Sequence, residues 1–308
     1  MIVRFSHRTW EQVYSIARNN RKFIIFLLLW SSCIYYLTAF LKLDALILPM
    51  APAALLGGAL AFFLGFRNNS AYDRWWEARK VWGGIVNTCR IFGATIVSLN
   101  EKNPEMITWK RKMIFNHLAW INAVRIQLRK MDDWSDVKKF LDMQTFDDLK
   151  SVNNKATQLG TLQAAGLMYA KDQEMIDGFD HQILLAYVQE LFALQGQAER
   201  IKNTVFPYFY QYFTRLFLWL FILVLPMALT GIMGWQTIPV AVSVAFVFYI
   251  LEKTSNITDQ PLEPRSSGTP MTQICRTIEI DLLEQLGEEN VPEAYEPRKT
   301  RHGSVYVD

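Results

Sequence analysis

The sequence predicts an all-α integral membrane protein with four transmembrane helices and a helical cytoplasmic domain. Four stretches are long and apolar enough to enter a bilayer. Between the second and the third, a polar segment keeps apolar residues at three- and four-residue spacing, the period of a helix buried on one face. The alternation of apolar and polar residues that indicates a strand is absent. A content of 51% hydrophobic and 20% charged residues fits a chain with membrane and soluble parts.

The first two candidate spans lie near the amino terminus. The stretch "KFIIFLLLWSSCIYYLTAFL" (22–41) has no charge after its first lysine, and a spanning helix needs about 20 residues. A cleaved signal peptide is the competing interpretation, but the apolar run is long for one and no small-residue cleavage site follows. The second stretch, "ALILPMAPAALLGGALAFFLGF" (45–66), has its prolines in the first turns, where helices tolerate them. Its Gly57 and Gly58 favour close approach of another helix.

The third and fourth candidate spans form a predicted helical hairpin. They are "LFLWLFILVLPMALTGIMGW" (216–235) and "TIPVAVSVAFVFYIL" (237–251), separated only by a turn that contains Gly234. Because the fourth is short, we expect it to tilt or to begin within the interface.

The distribution of basic residues predicts the orientation. Lysines and arginines precede the first span and follow the second, whereas the loop between the third and fourth has none. Both termini and the middle segment are therefore expected on the cytoplasmic side of the inner (plasma) membrane. The predicted organisation is a cytoplasmic N-terminal segment (1–21), helices 1 and 2 (22–66), a helical cytoplasmic domain (67–205), helices 3 and 4 (212–251), a C-terminal segment and helix (252–288) and a flexible tail (289–308).

Two segments of the middle domain have the pattern of amphipathic helices. The predicted apolar faces are Ile114, Leu118, Ile121, Val124 and Leu128 in 108–130, and Ile183, Leu184, Val188, Leu191 and Leu194 in 174–201. Residues 130–158 between them have no sustained period and are predicted to be loops with a short helix.

Composition and motifs argue against several classes of function. A net charge of +3 is too small to indicate nucleic-acid binding. The three cysteines, Cys33, Cys89 and Cys275, form no CxxC pair, and the four histidines are scattered, so we predict no metal site, no cofactor and no enzyme. The carboxylates of Asp73 and Glu77 could do acid and base chemistry, but such a pair on a helix is more often solvated.

The stretch "FFLGFRNNSAYDRWWEAR" (62–79) passes from apolar to charged sequence without a turn. Helical spacing continues from about Leu46 to near Leu99, which predicts one helix of roughly 80 Å that leaves the membrane and enters the cytoplasm. One stripe of this helix contains Gly58, Phe62, Phe66, Asn69, Ser70, Asp73 and Glu77. Either the rings pack on a neighbouring helix and the carboxylates are solvated, or several subunits place the stripe around a pore.

Three segments resemble the bestrophin family: "FLGFRNNSAYDRWWEARKVWG", "RTIEIDLLEQLGE" (276–288) and "GQAERIKNTVFPYFYQ" (196–211). Together with the four spans, the resemblance covers about residues 1–288. It implies a homopentameric ion channel in which the second helix of each subunit surrounds a central pore. The partners expected from it are permeant ions, the lipid bilayer and further copies of the same chain.

The resemblance also implies positions for the constrictions. The family's neck has three rings one helical turn apart, which fall here on Phe66, Phe62 and Gly58, and glycine departs from the branched residue usual at the third. Counting back from Pro207 places the cytoplasmic aperture at or beside Phe179. An ordinary aromatic residue at a helix start is an equal interpretation of Phe179. The stripe residues Asn69, Ser70, Asp73 and Glu77 would line the vestibule between the two constrictions.

The expected ion is chloride or another monovalent anion, because ring edges of phenylalanine are weakly positive. Asp73 and Glu77 favour the alternative, a monovalent cation such as sodium, unless Arg67 and Arg74 neutralise them between subunits. Animal bestrophins resemble calcium-activated channels, but Asp259 and Glu263 here are too isolated to predict a calcium clasp. A non-conducting membrane scaffold is a further alternative.

Overall fold

The computed structural model describes residues 9–101, 104–204, 207–265, 267–296, 298–299 and 305–306. These residues are predominantly helical, as predicted. The helices are α1 (Thr9–Asn19), α2 (Arg21–Ala39), α3 (Met50–Ser98), α4 (Pro104–Arg129), α5 (Ser135–Lys138), α6 (Met143–Lys150), α7 (Lys155–Asp172), α8 (Gly178–Asn203), α9 (Tyr208–Met233), α10 (Thr237–Thr258) and α11 (Met271–Leu286). Two two-residue strands, β1 (Arg298–Lys299) and β2 (Val305–Tyr306), pair antiparallel, which the sequence analysis did not anticipate.

Helix α3 is the long uninterrupted helix that the sequence predicts. Its 49 residues extend about 73 Å at 1.5 Å per residue. Pro52 is the third residue of the helix, where a missing backbone N–H costs no intrahelical hydrogen bond. The helix ends where Leu99 adopts an extended backbone, with φ −61° and ψ 137°. One rigid element therefore connects the apolar part of the molecule to its polar part.

An apolar bundle forms from α2, α9, α10 and the first half of α3. Among the residues that the structure describes, three stretches meet the length and hydropathy of a membrane span: Arg21–Ala39, Asp44–Ser98 and Tyr208–Thr258. The last contains both α9 and α10, joined through a tight turn at Gly234, whose φ of +55° is a conformation that glycine adopts without strain. This agrees with the predicted hairpin, while the count of four spans stays a prediction.

A second, larger core lies among the remaining half of α3 and α4, α7, α8 and α11. The predicted apolar face of α4 is buried throughout. On α8 the prediction is correct for four of its five residues, but Ile183 is 48% exposed. Ile183 precedes the buried Leu184 by one position, and one residue turns a helix by about 100°, away from the packed face.

The region between these two helices is more helical than predicted. Residues 130–158 contain the short helices α5 and α6 rather than one, and they lead directly into α7, which the sequence analysis did not identify. Asn154 caps α7 by accepting a hydrogen bond from the Thr157 N–H at 3.0 Å. Helix α7 packs on both α4 and α8.

The C-terminal segment contacts the helical domain in its described part. Arg276 of α11 donates a hydrogen bond to the Tyr295 hydroxyl at 2.8 Å, and its guanidinium carbon lies 4.5 Å from the centre of that ring. The flexibility expected of residues 289–308 stays a prediction.

Candidate functional site

One face of the apolar half of α3 is not covered by any other part of the described chain. Phe62 is 64% exposed and Phe66 is 51% exposed, whereas Leu60 and Leu64 on the opposite face are buried. The rings of Phe62 and Phe66 meet edge to face, with centroids 4.5 Å apart. The structure thus places the two phenylalanines of the predicted neck together, one helical turn apart, on an open surface.

Gly57 and Gly58, predicted together as a close-approach patch, have different surroundings. A Cβ atom built on Gly57 would lie 2.9 Å from Cε2 of Phe221, so this glycine lets α9 approach α3. A Cβ atom on Gly58 would have no heavy atom of the described chain within 4 Å. The prediction is therefore correct for Gly57 and wrong for Gly58 within one chain, because only Gly57 faces α9. Gly58 lies on the open face with Phe62.

The polar part of the stripe continues down the same helix. Asn69, Ser70 and Asp73 are exposed. Ser70, Asp73 and Glu77 border one groove of about 430 Å³, which residues of α8 complete. The full lining consists of Ser70, Asp73, Arg74, Glu77, Arg200, Ile201 and Thr204.

Arg200 of α8 changes the charge of this groove. Its Nη2 lies 2.6 Å from Oε1 of Glu77, so the carboxylate predicted to attract cations is paired with a cation of the same chain. Asp73 has no ion pair in the part of the chain that the structure describes. The groove therefore has two acidic side chains, both from α3, and two basic ones, Arg74 from α3 and Arg200 from α8.

Arg67 and Arg74, which could neutralise Asp73 and Glu77 between subunits, both have partners within the chain. Arg67 is only 2% exposed; its Nη1 lies 3.6 Å from Oε1 of Glu252, and its Nη2 donates a hydrogen bond to Oδ1 of Asn256. The side chain of Arg67 points toward α10 rather than along the exposed stripe, and neutralisation between subunits stays a prediction.

Arg74 is likewise engaged within the chain. It donates a hydrogen bond to the backbone carbonyl of Ile201, and its Nε lies 3.9 Å from Oδ1 of Asp259. Burial raises the pKa of the Asp259 carboxyl, and the positive charges of Arg74 and Arg67 oppose that shift. These contacts connect α3 to α8 and to the end of α10.

The other predicted acid of the C-terminal segment is also paired. Oε1 of Glu263 lies 2.5 Å from Nζ of Lys202. This interaction holds the pKa of Glu263 below its usual value, against the effect of partial burial. Among the residues that the structure describes, no three His, Cys, Asp or Glu side chains form a group that could hold a metal ion.

Phe179 lies at the opposite end of α8 from Arg200, the residue that contacts the stripe of α3. It is the second residue of α8 and is 79% exposed, next to the helix cap in which Asp177 accepts a hydrogen bond from the Asp180 N–H at 2.7 Å. Arg200 is 21 residues further along α8, which corresponds to about 32 Å. The structure does not bring Phe179 together with the other predicted site residues, so its role as an aperture stays a prediction.

Sequence reasoning missed Arg200 and Glu252, which decide how the charges near the stripe are balanced. Arg200 is 123 positions from Glu77, and Glu252 is 185 positions from Arg67. No local spacing connects such residues. The only signal available for Arg200 was its place within the segment 196–211 that carries the family resemblance.

Comparison with known proteins gives relatives over most of the chain. A voltage-dependent anion channel-forming protein of Mesorhizobium japonicum is 30% identical over 259 residues, which cover 84% of this chain and 82% of that protein. The voltage-dependent anion channel-forming protein YneE of Escherichia coli is 26% identical over 243 residues, 79% of each chain.

The fold matches solved structures and a family model. A bacterial bestrophin homologue from Klebsiella pneumoniae superposes with a TM-score of 0.82 at 23% identity, over 87% of this chain and 98% of that one. The model of the bacterial and fungal bestrophin proteins matches residues 8–284. The match spans the apolar bundle, the whole of α3 and the helical domain, and the chain therefore belongs to the bestrophin family.

Proposed function

We propose that this protein is a homopentameric ion channel of the plasma membrane, with both termini in the cytoplasm, that passes chloride and other monovalent anions. The observation that carries the proposal is the open face of α3, on which Gly58, Phe62 and Phe66 continue into the polar stripe. A face that changes from apolar to polar along one helix suits the wall of a pore that passes from membrane to cytoplasm.

The proposed neck has two rings of phenylalanine and a wider third level. Phe62 and Phe66 from five subunits would narrow the pore to an apolar constriction, which conducts or closes as water enters or leaves it. At Gly58 there is no side chain to project, so the outermost level is open. The number of five subunits follows from the bestrophin resemblance.

The balance of charge below the neck supports anions over cations. If both carboxylates of the stripe were free, a ring of five subunits would present ten negative charges and concentrate cations. The ion pair of Glu77 with Arg200 at 2.6 Å removes half of them. The relatives described above are named as anion channel-forming proteins, which supports the same choice.

A monovalent cation channel of the same fold is the second candidate. It is favoured by Asp73, which is exposed and has no ion pair in the described chain. In this alternative, Asp73 would line the vestibule with an uncompensated negative ring.

Reversal potentials of the purified protein in planar bilayers test the proposal. Under a tenfold KCl gradient we expect reversal near the chloride equilibrium potential, about 59 mV from zero. Reversal at the potassium value would contradict the anion proposal and select the alternative. A protein that stays silent at both signs of voltage, also after Phe62→Ala and Phe66→Ala, would indicate a scaffold. Particle images down the symmetry axis test the assembly, and a dimer would overturn it.

A further inference from the structure

A polar recess of about 590 Å³ lies where α3, α9 and α10 leave the apolar bundle. Arg74 comes eight residues after Phe66 on α3, Tyr208 is the first residue of α9, and Asp259 follows the last residue of α10. The described lining residues are Arg74, Arg129, Lys130, Ile201, Lys202, Tyr208, Gln211, Asp259, Gln260, Pro261, Leu262 and Glu263.

Exposed aromatic side chains locate this recess relative to a membrane surface. Tyr208, Phe209, Tyr212 and Phe213 in the first turns of α9 are all about half exposed or more. Tyrosine rings at one end of a spanning helix are typical of the level of the lipid headgroups, and Tyr208 and Tyr212 lie at this end of α9. The recess therefore opens at headgroup depth, beside a surface that acyl chains can cover.

The charges of the recess favour an anion. Four basic side chains and two carboxylates line it, a net charge of +2. Asp259 and Glu263 are each next to a basic partner, Arg74 at 3.9 Å and Lys202 at 2.5 Å. Arg129 also lines the recess, and its guanidinium donates hydrogen bonds to Thr272 Oγ1 at 2.9 Å and to the carbonyl of Thr269 at 3.4 Å.

Lys130 has no such partner. Its side chain is exposed, and no hydrogen bond or ion pair engages its ammonium group among the described residues. Asp259 Oδ1 also lacks a hydrogen bond although it is buried. The recess thus offers cationic donors for a phosphate and, beside them, an acceptor for a hydroxyl group.

We propose that this recess binds the phosphate of an anionic lipid headgroup of the phosphatidylglycerol type. Lys130 and Arg129 would contact the phosphate oxygens, because charge-assisted contacts to phosphate are the strongest that such a site can make. Asp259 Oδ1 would accept a hydrogen bond from the glycerol hydroxyl, and the acyl chains would lie along Phe209 and Phe213. The site does not depend on ion conduction and can be tested separately from it.

Native mass spectrometry of the purified protein tests the site, with phosphatidylglycerol and zwitterionic phosphatidylcholine as probes. We expect tighter binding of phosphatidylglycerol, and a loss of about tenfold in Lys130→Asn, the size of one charged contact. Asparagine suits the position because residue 130 has a φ of +53° and asparagine tolerates the left-handed region. Lys171→Gln is the control, since Lys171 is an exposed lysine on α7, outside the recess.

Competition with inorganic phosphate tests whether the recess also binds free phosphate in place of the lipid headgroup. If millimolar phosphate displaces phosphatidylglycerol from the wild type but not from Lys130→Asn, the recess is a phosphate site that free phosphate also occupies. Equal binding of both lipids, or an unchanged affinity in Lys130→Asn, would overturn the proposal.

Discussion

The two halves of α3 belong to one continuous helix but have different surroundings. From Met50 to Phe66 the helix buries Ala53, Leu60 and Leu64 and leaves the opposite face open. From Ala78 to Ile96 it is packed by α8 on one side and α11 on another. We call the first part, which leaves one face open, the wall half of α3, and the second part, which other helices pack against, the core half. Substitutions in the two halves should therefore change different properties.

The largest contrast is expected between two phenylalanines of this helix. Phe92 is fully buried and its ring stacks on His117 with centroids 4.7 Å apart, so Phe92→Ala should cost about 3–5 kcal/mol. Phe66 is half exposed, and Phe66→Ala should change stability far less while widening the proposed neck. Thermal unfolding in detergent, followed by tryptophan fluorescence, measures the difference. Equal losses of Tm would contradict the division of α3 into wall and core.

A pH dependence of stability is expected from His117 of α4, whose ring stacks on Phe92 in the second half of α3. Burial lowers the pKa of His117 to about 4, although a hydrogen bond with Gln163 at 3.0 Å opposes the shift. The unfolded chain takes up this proton near pH 6.5, whereas the folded chain resists until about pH 4. The contribution of His117 to the free energy of unfolding is therefore fully present above pH 6.5 and is lost as the pH falls toward 4, by on the order of 3 kcal/mol.

The variant His117→Gln isolates this contribution. Carboxylates also titrate in acid, so the relevant quantity is the difference between wild type and variant in the fall of Tm from pH 7 to pH 5. We expect the variant to lose less Tm over this interval. An identical fall in both proteins would show that His117 is not the group responsible.

The helix itself could be predicted from sequence, but its charge partners could not. Small and apolar residues recur at helical spacing over the whole of α3. Because this spacing continues from the apolar part into the polar part, local sequence is enough to predict one long helix. The exposure of Phe62 and Phe66 agrees with the predicted stripe. By contrast, Arg67 and Glu252 form an ion pair only because α3 and α10 pack side by side, and local sequence patterns do not predict which helices pack together.

Small residues set a second limit on prediction. Helix α7 was missed because its buried positions include Ala156, Gly160, Gln163 and Ala170, which give no apolar period. Gly57 and Gly58 are adjacent and identical in type, so no pattern could separate the one that packs from the one that is open. Which glycine faces α9 is decided by the rotation of α3 about its axis, and the tertiary packing fixes that rotation.

The two adjacent glycines provide a sharper comparison within the wall half. Leucine at position 57 would drive its side chain into Phe221, so Gly57→Leu should destabilise by about 1–3 kcal/mol. A Cβ atom at position 58 has no heavy atom of the described chain within 4 Å, so Gly58→Leu should leave Tm nearly unchanged. In the proposed pentamer it would add a third apolar ring, so single-channel conductance should fall. If Gly58→Leu destabilises as much as Gly57→Leu, position 58 packs against a neighbour and does not face a pore.

At Arg200 the effect on stability should also be small, whereas the effect on ion choice should be clear. Because its ion pair with Glu77 is largely exposed, Arg200→Ala should change the free energy of unfolding by less than about 1 kcal/mol. The variant leaves both Glu77 and Asp73 uncompensated, so the reversal potential should move toward the cation value. Arg111→Ala is a matched control, since Arg111 forms a similar ion pair with Glu288 at 2.5 Å, and neither residue lines the groove. If both variants shift the reversal potential equally, the effect comes from net charge and not from the groove beside the stripe. If neither shifts it, the groove does not contact the permeant ion.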